Sequence, residues 1–507
     1  MPEMTDIDWE PKVTLRPGMD FKDGRAYYTV PLLRNLITMS KGKDPEPIHY
    51  KEMQTYVIPS TGKAFWYDEE NLDLQGYVPI STMFQEKESR WSLPSVKAFL
   101  DGKAPTVPTS DLFTEVRNIY TTYVEYADEM YYDIMSLYMM YTYIFRLFES
   151  TGYIHFNGTM ASGKSRNLAI LNALAFNSVW AASMSAASLY RKLDGSPGTT
   201  LLDESEGFDG ERGEDLRRVL NAGYKDGSKV TRTEKSGKLE RFTPVEYEVF
   251  GPKALASIKE MEPVIQSRCL VVAMRPAIRE LPEFETKSTH WAPVRDRLYL
   301  WAINNAAAIA ALALEWRESK HERLAPKLMG RGWETTGQLV ILADFVGGDE
   351  FAERLIEFLN VYFAKNQESQ DATDRLRTTL RCLPRVLATK QPHPTHLYSS
   401  KDIHEVITSF MEEDQTEYFK TKHAVSNLAV LGFKHKVRAS GGLQVELNED
   451  AVRAEFRQRR VEPFEEDIPW LAGDICYQDQ PVIARPTSES IPEEGEPWWE
   501  TTEDNEP

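Results

Sequence analysis

The spacing of apolar and polar positions divides the chain into segments with different predicted structures. Short alternating patterns such as QTYVIPS and GKAFWYD, separated by turns with Pro and Gly, predict a small α+β domain over residues 1–118. Helical patterns follow, and compact apolar runs then alternate with helical patterns as far as residue 285. Because this alternation is typical of strands joined by crossover helices, residues 119–285 are predicted to form an α/β core with a parallel sheet.

The rest of the chain has three further patterns. Residues 286–380, which include the Ala-rich WAINNAAAIAALALEW, predict a helical region. In residues 383–465, SSKDIHEVITSF predicts a helix with an N-cap serine, and KTKHAVSNLAVLGF predicts a second amphipathic helix. KHKVRASGGLQVEL then predicts two strands that turn at Gly441 and Gly442, so the succession resembles a winged helix-turn-helix. Residues 466–507 predict a disordered acidic tail.

Composition limits the classes of function. The 507 residues, of which 41% are hydrophobic, are enough for several domains and a sizeable core. The net charge of −19 confines any DNA contact to a groove, a pore or a small patch. Three cysteines without paired spacing favour a reducing cytoplasm and argue against disulfides or a zinc site. The apolar stretch Tyr131–Phe148 is interrupted by Asp133 and Arg146, so it predicts a buried amphipathic helix and no membrane span.

The strongest chemical signal lies in FNGTMASGKSRNLAIL, which begins at Phe156. Its spacing, Gly158-x-x-x-x-Gly163-Lys164-Ser165, is that of a phosphate-binding P-loop. Glycines allow the backbone N–H groups to approach phosphate oxygens, and the following helix directs its positive end into the loop. Lys164 would neutralise the β and γ phosphates, and the Ser165 hydroxyl would bind Mg²⁺. The predicted ATP contacts are Gly158, Thr159, Met160, Ala161, Ser162, Gly163, Lys164 and Ser165.

A second acidic motif completes a predicted hydrolytic site. The stretch GTTLLDESEGF predicts a buried strand that ends in Asp203 and Glu204. A parallel strand beside the P-loop strand would bring Asp203 near Mg²⁺, and Glu204 would polarise the attacking water.

The residues after Glu204 predict a helix, a hairpin, a strand, a short helix and another strand. Lys235 and Lys238 lie at the predicted hairpin tip, where they either contact DNA phosphates or form part of a solvated turn. Ser257 ends the next buried strand and is placed to sense the γ-phosphate. Arg268 precedes the last strand, from which an arginine can reach the nucleotide of a neighbouring subunit if the protein forms a ring.

Five segments together resemble a known family. In order, they are TLLDESEGF, LRRVLNAGYKDG, FGPKALASI, QSRCLVV and GRGWETTGQLVILADFVGG. They resemble the ATPase domain of phage- and plasmid-encoded primase-helicase proteins, which is similar to superfamily 3 helicases within the AAA+ class. The likeness covers Leu112 to Gly348, whereas residues 1–118 have no acidic triad or zinc-ligand cluster of the kind that priming requires.

The resemblance implies an AAA+ fold that uses ATP and Mg²⁺, forms a hexameric ring and translocates on DNA. Residue by residue, it implies that Lys164 and Ser165 form the Walker A pair and that Asp203 and Glu204 form the Walker B pair. It also implies that Ser257 is a sensor, Arg268 the arginine finger and Arg331 a second sensor.

Two classes of function remain open. The first is a DNA-translocating ATPase, a replicative helicase or replication initiator of a phage or mobile element, working with a primase, a polymerase or a single-strand-binding protein. The second is an ATP-driven protein remodeller or switch that does not unwind DNA. The C-terminal segment bears on this choice, because winged helices bind either DNA or proteins. Its candidate DNA contacts are Lys420, Lys422, His423, Lys434, Lys436 and Arg438, whereas His155 and His404 are predicted to be structural.

Overall fold

A computed structural model describes most of the chain. The described residues are 13–40, 46–80, 88–181, 185–203, 210–236, 241–258, 261–287, 289–373, 375–390, 396–410, 419–437, 443–459, 461 and 463–464. The chain divides into two compact units, Met1–Ala364 and Lys365–Pro507.

The first unit begins with strands. β1 (Val13–Thr14) pairs in parallel with β6 (Tyr77–Val78), and a four-stranded antiparallel sheet has the order β2-β3-β4-β5. Those strands are β2 (Met19–Lys22), β3 (Arg25–Met39), β4 (Pro47–Pro59) and β5 (Phe65–Trp66), with helices α1 (Glu69–Asp73) and α2 (Leu93–Leu100). The Tyr28 hydroxyl of this sheet donates to the carbonyl oxygen of Tyr143 at 2.6 Å, so the sheet shares a core with the residues that follow.

Two helices precede the nucleotide-binding region, α3 (Thr109–Tyr123) and α4 (Met130–Tyr141). The prediction of a buried helix within Tyr131–Phe148 is confirmed, because α4 is buried along nearly its whole length. It is buried on all of its faces, however, so the amphipathic character expected from the sequence is wrong. The tyrosines fit this interior because their hydroxyls find partners; Tyr138, for example, donates to the carbonyl oxygen of Lys253 at 2.9 Å.

A five-stranded sheet confirms the predicted α/β core. Its strands are β7 (Tyr153–Gly158), β8 (Val179–Trp180), β9 (Thr200–Leu202), β12 (Lys253–Ser257) and β13 (Cys269–Met274). The order across the sheet is β13-β7-β12-β9-β8, and every pairing is parallel. The connecting helices are α5 (Lys164–Leu174), α6 (Ala186–Gly195), α7 (Gly210–Ala222) and α8 (Pro263–Gln266).

The predicted hairpin lies between α7 and β12 along the chain. β10 (Lys229–Ser236) pairs antiparallel with β11 (Arg241–Glu248). Ion pairs stabilise the base of this hairpin, because the buried carboxylate of Glu248, the last residue of β11, pairs with both Arg146 and Arg16. Glu248 also donates its N–H to the Asp194 carboxylate at 2.9 Å.

Long helices follow along the chain, and the last of them extends beyond Ala364, where the first unit ends. α9 (Ala292–Glu315) continues through a π-helical turn (Trp316–Lys320) into α10 (His321–Leu324), and α11 spans Arg331–Thr373 with a kink at Gly347 and Gly348. By length and composition, Ala292–Leu324 is the one helix among the described residues that is long and apolar enough to cross a membrane. Its residues Leu298, Trp301 and Ile303, among others, are buried in the core of the unit.

The second unit combines helices with a small sheet. It contains α12 (Arg375–Thr389), β14 (Leu397–Ser399), α13 (Ser400–Thr408), α14 (Thr421–Val430), β15 (His435–Val437), β16 (Leu443–Glu446) and α15 (Glu449–Arg459). The sheet is antiparallel, with the order β14-β16-β15. The two predicted helices and two predicted strands of this region are therefore present, and the Ser399 side chain caps α13 as expected.

The N-terminal part of α11 lies in close contact with the residue that precedes the P-loop strand. Gly152 precedes β7, and a Cβ atom added to it would overlap the carbonyl oxygen of Thr335. Because that oxygen belongs to the backbone of α11, no side-chain rotation could make room. Gly152 therefore sets how closely α11 approaches β7.

We predict that Gly152→Ala lowers the free energy of unfolding by about 1–3 kcal/mol, because α11 would have to move away from β7. The measurement is urea denaturation of the full chain. Gly332→Ala in α11 is the matched control, since its added Cβ would come no closer than 3.3 Å to a side-chain atom of Leu328. The control should be neutral or stabilising because Ala favours helix. Equal stability of Gly152→Ala and the unmodified chain would contradict the prediction.

Candidate nucleotide site

The P-loop connects the end of β7 to the start of α5. Gly163 lies in the left-handed region with φ 89°, which a glycine adopts without strain, and the non-glycine Ala161 has φ 59°. Gly158 is required for a different reason: a Cβ atom there would overlap the carbonyl oxygen of Met274 in the adjacent strand β13. One glycine of the motif thus permits the turn, and the other permits close packing of two strands.

Lys164 lies over the loop at the first position of α5. Its Nζ donates to the carbonyl oxygens of Gly158 and Thr159, both at 2.7 Å. Phosphate oxygens would be stronger acceptors for the ammonium group because they are charged. The Ser162 hydroxyl is buried and has no hydrogen-bond partner among the described residues. Both groups fit a phosphate-binding loop, because a bound phosphate would supply an acceptor for Lys164 and a partner for Ser162.

A cavity of about 490 Å³ adjoins the loop, and its lining comes from three parts of the chain. The P-loop and α5 supply Ala161 to Arg166. A second wall is the end of α3 and the two residues after it, Tyr123, Val124 and Glu125. The third wall is the end of β13 and the segment that follows it, formed by Met274, Arg275, Pro276, Ala277, Arg279 and Leu281. This volume suits a base and ribose.

The two walls that sequence analysis missed are joined to each other. The Glu125 carboxylate accepts the N–H groups of Ile278 at 3.2 Å and Arg279 at 3.1 Å. The Arg279 guanidinium in turn donates to the carbonyl oxygen of Val124 at 2.8 Å. The one local signal was RPAIRELP, a Pro- and Arg-containing stretch directly after a buried strand.

Asp203 directly follows β9, at the same edge of the sheet as the P-loop, because the strands are parallel. The expectation that this strand lies beside the P-loop strand is wrong, since β12 separates β9 from β7. Asp203 is half-buried. Glu204, the predicted water-activating residue, lies outside the described residues.

Ser257 ends β12 at this same edge, opposite Asn157 of β7. Its hydroxyl shares a hydrogen bond of 2.6 Å with Nε2 of His155, and both side chains are buried. Burial lowers the pKa of His155 to about 4, so the imidazole is neutral at physiological pH. His155, predicted to be structural, therefore holds the side chain of the candidate sensor in place.

The two candidate arginines lie at the opposite edge of the sheet. Arg268 precedes β13, and its carbonyl oxygen accepts the N–H of Tyr153, the first residue of β7. Arg331 begins α11, and Thr335 of the same helix contacts Gly152. The six residues of β7 span about 20 Å at ~3.3 Å per residue, so neither arginine reaches the P-loop of its own chain. Arg331, expected to contact the nucleotide, does not line the cavity.

The candidate DNA contacts are only partly within the described residues. Lys235 lies in β10 opposite Phe242 of β11, so it belongs to the strand and not to the predicted tip. Lys238 and Arg438 lie outside the described residues. In the second unit, Lys420 is the N-cap of α14, Lys436 lies in β15, and Lys420, Lys422 and Lys434 are exposed.

Comparisons with known proteins give only distant likenesses. No family model and no curated protein matches the chain. A full-length MCM homolog from Methanopyrus kandleri is 12% identical with a TM-score of 0.35, over 66% of this chain and 78% of that one. SCCmec type IV Cch, described as an active helicase, is 11% identical with a TM-score of 0.34, over 79% and 92%. The apo NrS-1 C-terminal region is 12% identical with a TM-score of 0.31, over 78% and 94%. Likenesses this distant assign no function, which has to be inferred from the residues of the chain.

We predict that Lys164→Ala weakens ATP binding at least about 100-fold, because the phosphates lose their counter-charge within the loop. Binding of a fluorescent ATP analogue, followed by anisotropy, measures the change. Lys97→Ala is the control, since Lys97 is an exposed lysine that pairs with Asp101 on the surface of α2. Unchanged affinity of Lys164→Ala would rule out this loop as the phosphate site.

Proposed function

We propose that the protein is an ATP-hydrolysing motor that assembles into a ring of identical copies and translocates on DNA. The observation that carries this proposal is the division of the candidate residues between the two edges of one parallel sheet. Lys164, Asp203 and Ser257 lie at one edge, whereas Arg268 and Arg331 lie at the other. A complete site then requires two copies.

In this proposal ATP lies against the P-loop. The loop N–H groups and Lys164 bind the phosphates, and the Ser165 hydroxyl and the Asp203 carboxylate hold Mg²⁺, which neutralises phosphate charge. Glu204 accepts the proton of the attacking water. The buried Ser162 hydroxyl, which has no partner among the described residues, and the cavity of about 490 Å³ beside the loop support ATP as the ligand.

A neighbouring copy supplies positive charge that stabilises the negative charge developing on the phosphates in the transition state. Arg268 of that copy acts as the arginine finger, and Arg331 acts beside it as the second sensor. Contacts between one edge and the opposite edge of the next copy are heterologous, and such contacts form a ring when the rotation between copies closes. A hexamer is the expected ring.

DNA would be held in the ring by the hairpin β10–β11. Lys235 and Lys238 of every copy would meet around the pore, so a chain with a net charge of −19 can still offer a local positive collar to a strand. The order α12-β14-α13-α14-β15-β16 supports a winged helix in the second unit, where the exposed Lys420, Lys422 and Lys434, with Lys436 and Arg438, would contact duplex phosphates.

These activities fit a replicative helicase or a replication initiator of a phage or mobile element. Such a motor would work in the cytoplasm beside a primase, a polymerase or a single-strand-binding protein. Priming itself is not proposed, because residues 1–118 have no matching catalytic constellation.

One observation favours the second candidate function, an ATP-driven protein remodeller. The distal part of the β3–β4 ribbon exposes Leu33 by 62%, Ile37 by 64% and Met39 by 56%. These three side chains alternate along β3 and so lie on one face, which suits contact with protein more than with DNA.

We predict that single-stranded DNA raises the rate of ATP hydrolysis several-fold at low salt, and that Lys235→Ala/Lys238→Ala removes this stimulation. Basal hydrolysis should persist, because the proposal assigns neither lysine to the nucleotide. Steady-state ATPase assays with and without oligonucleotide measure both rates. Lys229→Ala is the control: this exposed lysine lies at the base of the same hairpin and pairs with Glu246.

Two outcomes would contradict this prediction. If DNA leaves the hydrolysis rate of the unmodified chain unchanged, the protein remodeller becomes the better account. If DNA stimulates the double variant as strongly as the unmodified chain, the hairpin is not the DNA contact.

A further inference from the structure

Tyr224 is the centre of a charged cluster at the arginine edge of the sheet. It follows α7 and is buried, with 3% of its surface exposed. The guanidinium carbons of Arg268 and Arg331 lie 5.6 Å and 4.8 Å from the centroid of its ring. Two arginines that are 63 positions apart in sequence therefore meet on one aromatic ring, whose negative face attracts both.

The Glu334 carboxylate connects Tyr224, Arg331 and Lys225. It accepts the Tyr224 hydroxyl at 2.5 Å, Nη1 of Arg331 at 3.0 Å and Nζ of Lys225 at 3.3 Å. Burial, together with the hydrogen bond to Glu334, raises the pKa of Tyr224 well above its ordinary value. The hydroxyl thus stays protonated and remains a donor to Glu334.

The ring and the carboxylate are both fixed to the start of β7. The N–H of Thr151 donates to the carbonyl oxygen of Tyr224 at 2.9 Å, and the Ser150 hydroxyl donates to the carbonyl oxygen of Glu334, also at 2.9 Å. The contact of Gly152 with α11 adds a third attachment. The backbones of the two residues that contact the arginines are therefore attached to the segment that leads into β7.

The cluster still has capacity to bind an anion. Lys225 and Arg331 pair with the Glu334 carboxylate, and Arg268 lies against the same tyrosine ring as Arg331, so these contacts bring together three cations and one carboxylate among the described residues, although the chain as a whole is strongly acidic. The Arg331 side chain is 45% exposed, so one part of its guanidinium pairs with Glu334 while the rest faces solvent. Arginine on an aromatic ring can still bind phosphate bidentately through its free edge.

We propose that Tyr224 and Glu334 are positioning residues that hold Arg268 and Arg331 as one unit for the terminal phosphates of ATP bound to a neighbouring copy. This inference rests on the proposed function, because it takes the site to be shared between copies. Orienting two long side chains in advance reduces the freedom that each loses when it binds phosphate. Tyr224 and Glu334 act through the arginines and do not touch ATP.

The first test separates the ring of Tyr224 from its hydroxyl. Tyr224→Leu should lower kcat for ATP at least about 10-fold while KM changes less than about threefold, because ATP itself is bound by the unaltered P-loop. Tyr224→Phe keeps the ring under both arginines and should recover most of that loss. Glu334→Gln still accepts the tyrosine hydroxyl but no longer pairs with Arg331, and should lower kcat about threefold. Tyr398→Leu is the control, since Tyr398 is equally buried but lies in the second unit.

Mixed oligomers then distinguish positioning from a structural role. Tyr224→Leu and Arg268→Ala are each mixed with Lys164→Ala, whose ATP binding is expected to be at least about 100-fold weaker but which presents intact arginines to its neighbour. Because the P-loop of Tyr224→Leu is intact, mixing should raise turnover above that of either variant alone, as it should for Arg268→Ala. The measurement is ATP turnover at fixed total protein, with mixed assembly verified by native mass spectrometry.

Three results would overturn the inference. The first is an unchanged kcat for both Tyr224→Leu and Glu334→Gln. The second is restoration of Arg268→Ala but not of Tyr224→Leu, which would make Tyr224 structural and leave the shared site intact. The third is failure to restore Arg268→Ala in verified mixed oligomers, which would reject the shared site of the proposed function and this inference with it.

Discussion

The structure depends on one constraint, the parallel direction of all five strands in the central sheet. Parallel strands bring their carboxyl ends to one edge, so the P-loop after β7, Asp203 after β9 and Ser257 at the end of β12 are neighbours although they are far apart in sequence. The same constraint places Arg268, which precedes β13, at the opposite edge. A side chain at one edge cannot act on a phosphate at the other. The proposal of a site shared between copies follows from this separation.

A continuous segment joins the two edges to the hairpin. From the nucleotide edge, α7 leads to Tyr224 in the arginine cluster, β10 and β11 form the hairpin, and β12 returns to Ser257. Lys253, at the start of β12, is buried and donates to the carbonyl oxygens of Gly223, Val249 and Gly251 at 3.3, 2.9 and 2.9 Å. Burial lowers its pKa to about 7. These bonds join the end of α7, the base of the hairpin and the candidate sensor strand, so we expect a displacement of one of these three elements to displace the other two.

Sequence patterns predicted the local features well, because local physics determines them. The P-loop, the strand ending at Ser257, the short helix before Arg268 and the hairpin each have a signature within a few residues. The position of β12 between β7 and β9 has no such signature, since strand order is decided by packing across the whole sheet. The cavity wall from Tyr123 to Glu125 was missed for the same reason. The resemblance implied that Arg331 is a second sensor, but only the structure revealed its contact with Tyr224 and its distance from its own P-loop.

The most direct measurement of the central claim is the ATP turnover per chain of the unmodified protein over a series of protein concentrations, with its mass followed by light scattering. If each site needs arginines from a second copy, turnover per chain should be very low for the monomer and rise steeply over the concentration range in which oligomers form. Turnover that is already maximal for the monomer and does not change with concentration would contradict a site divided between copies.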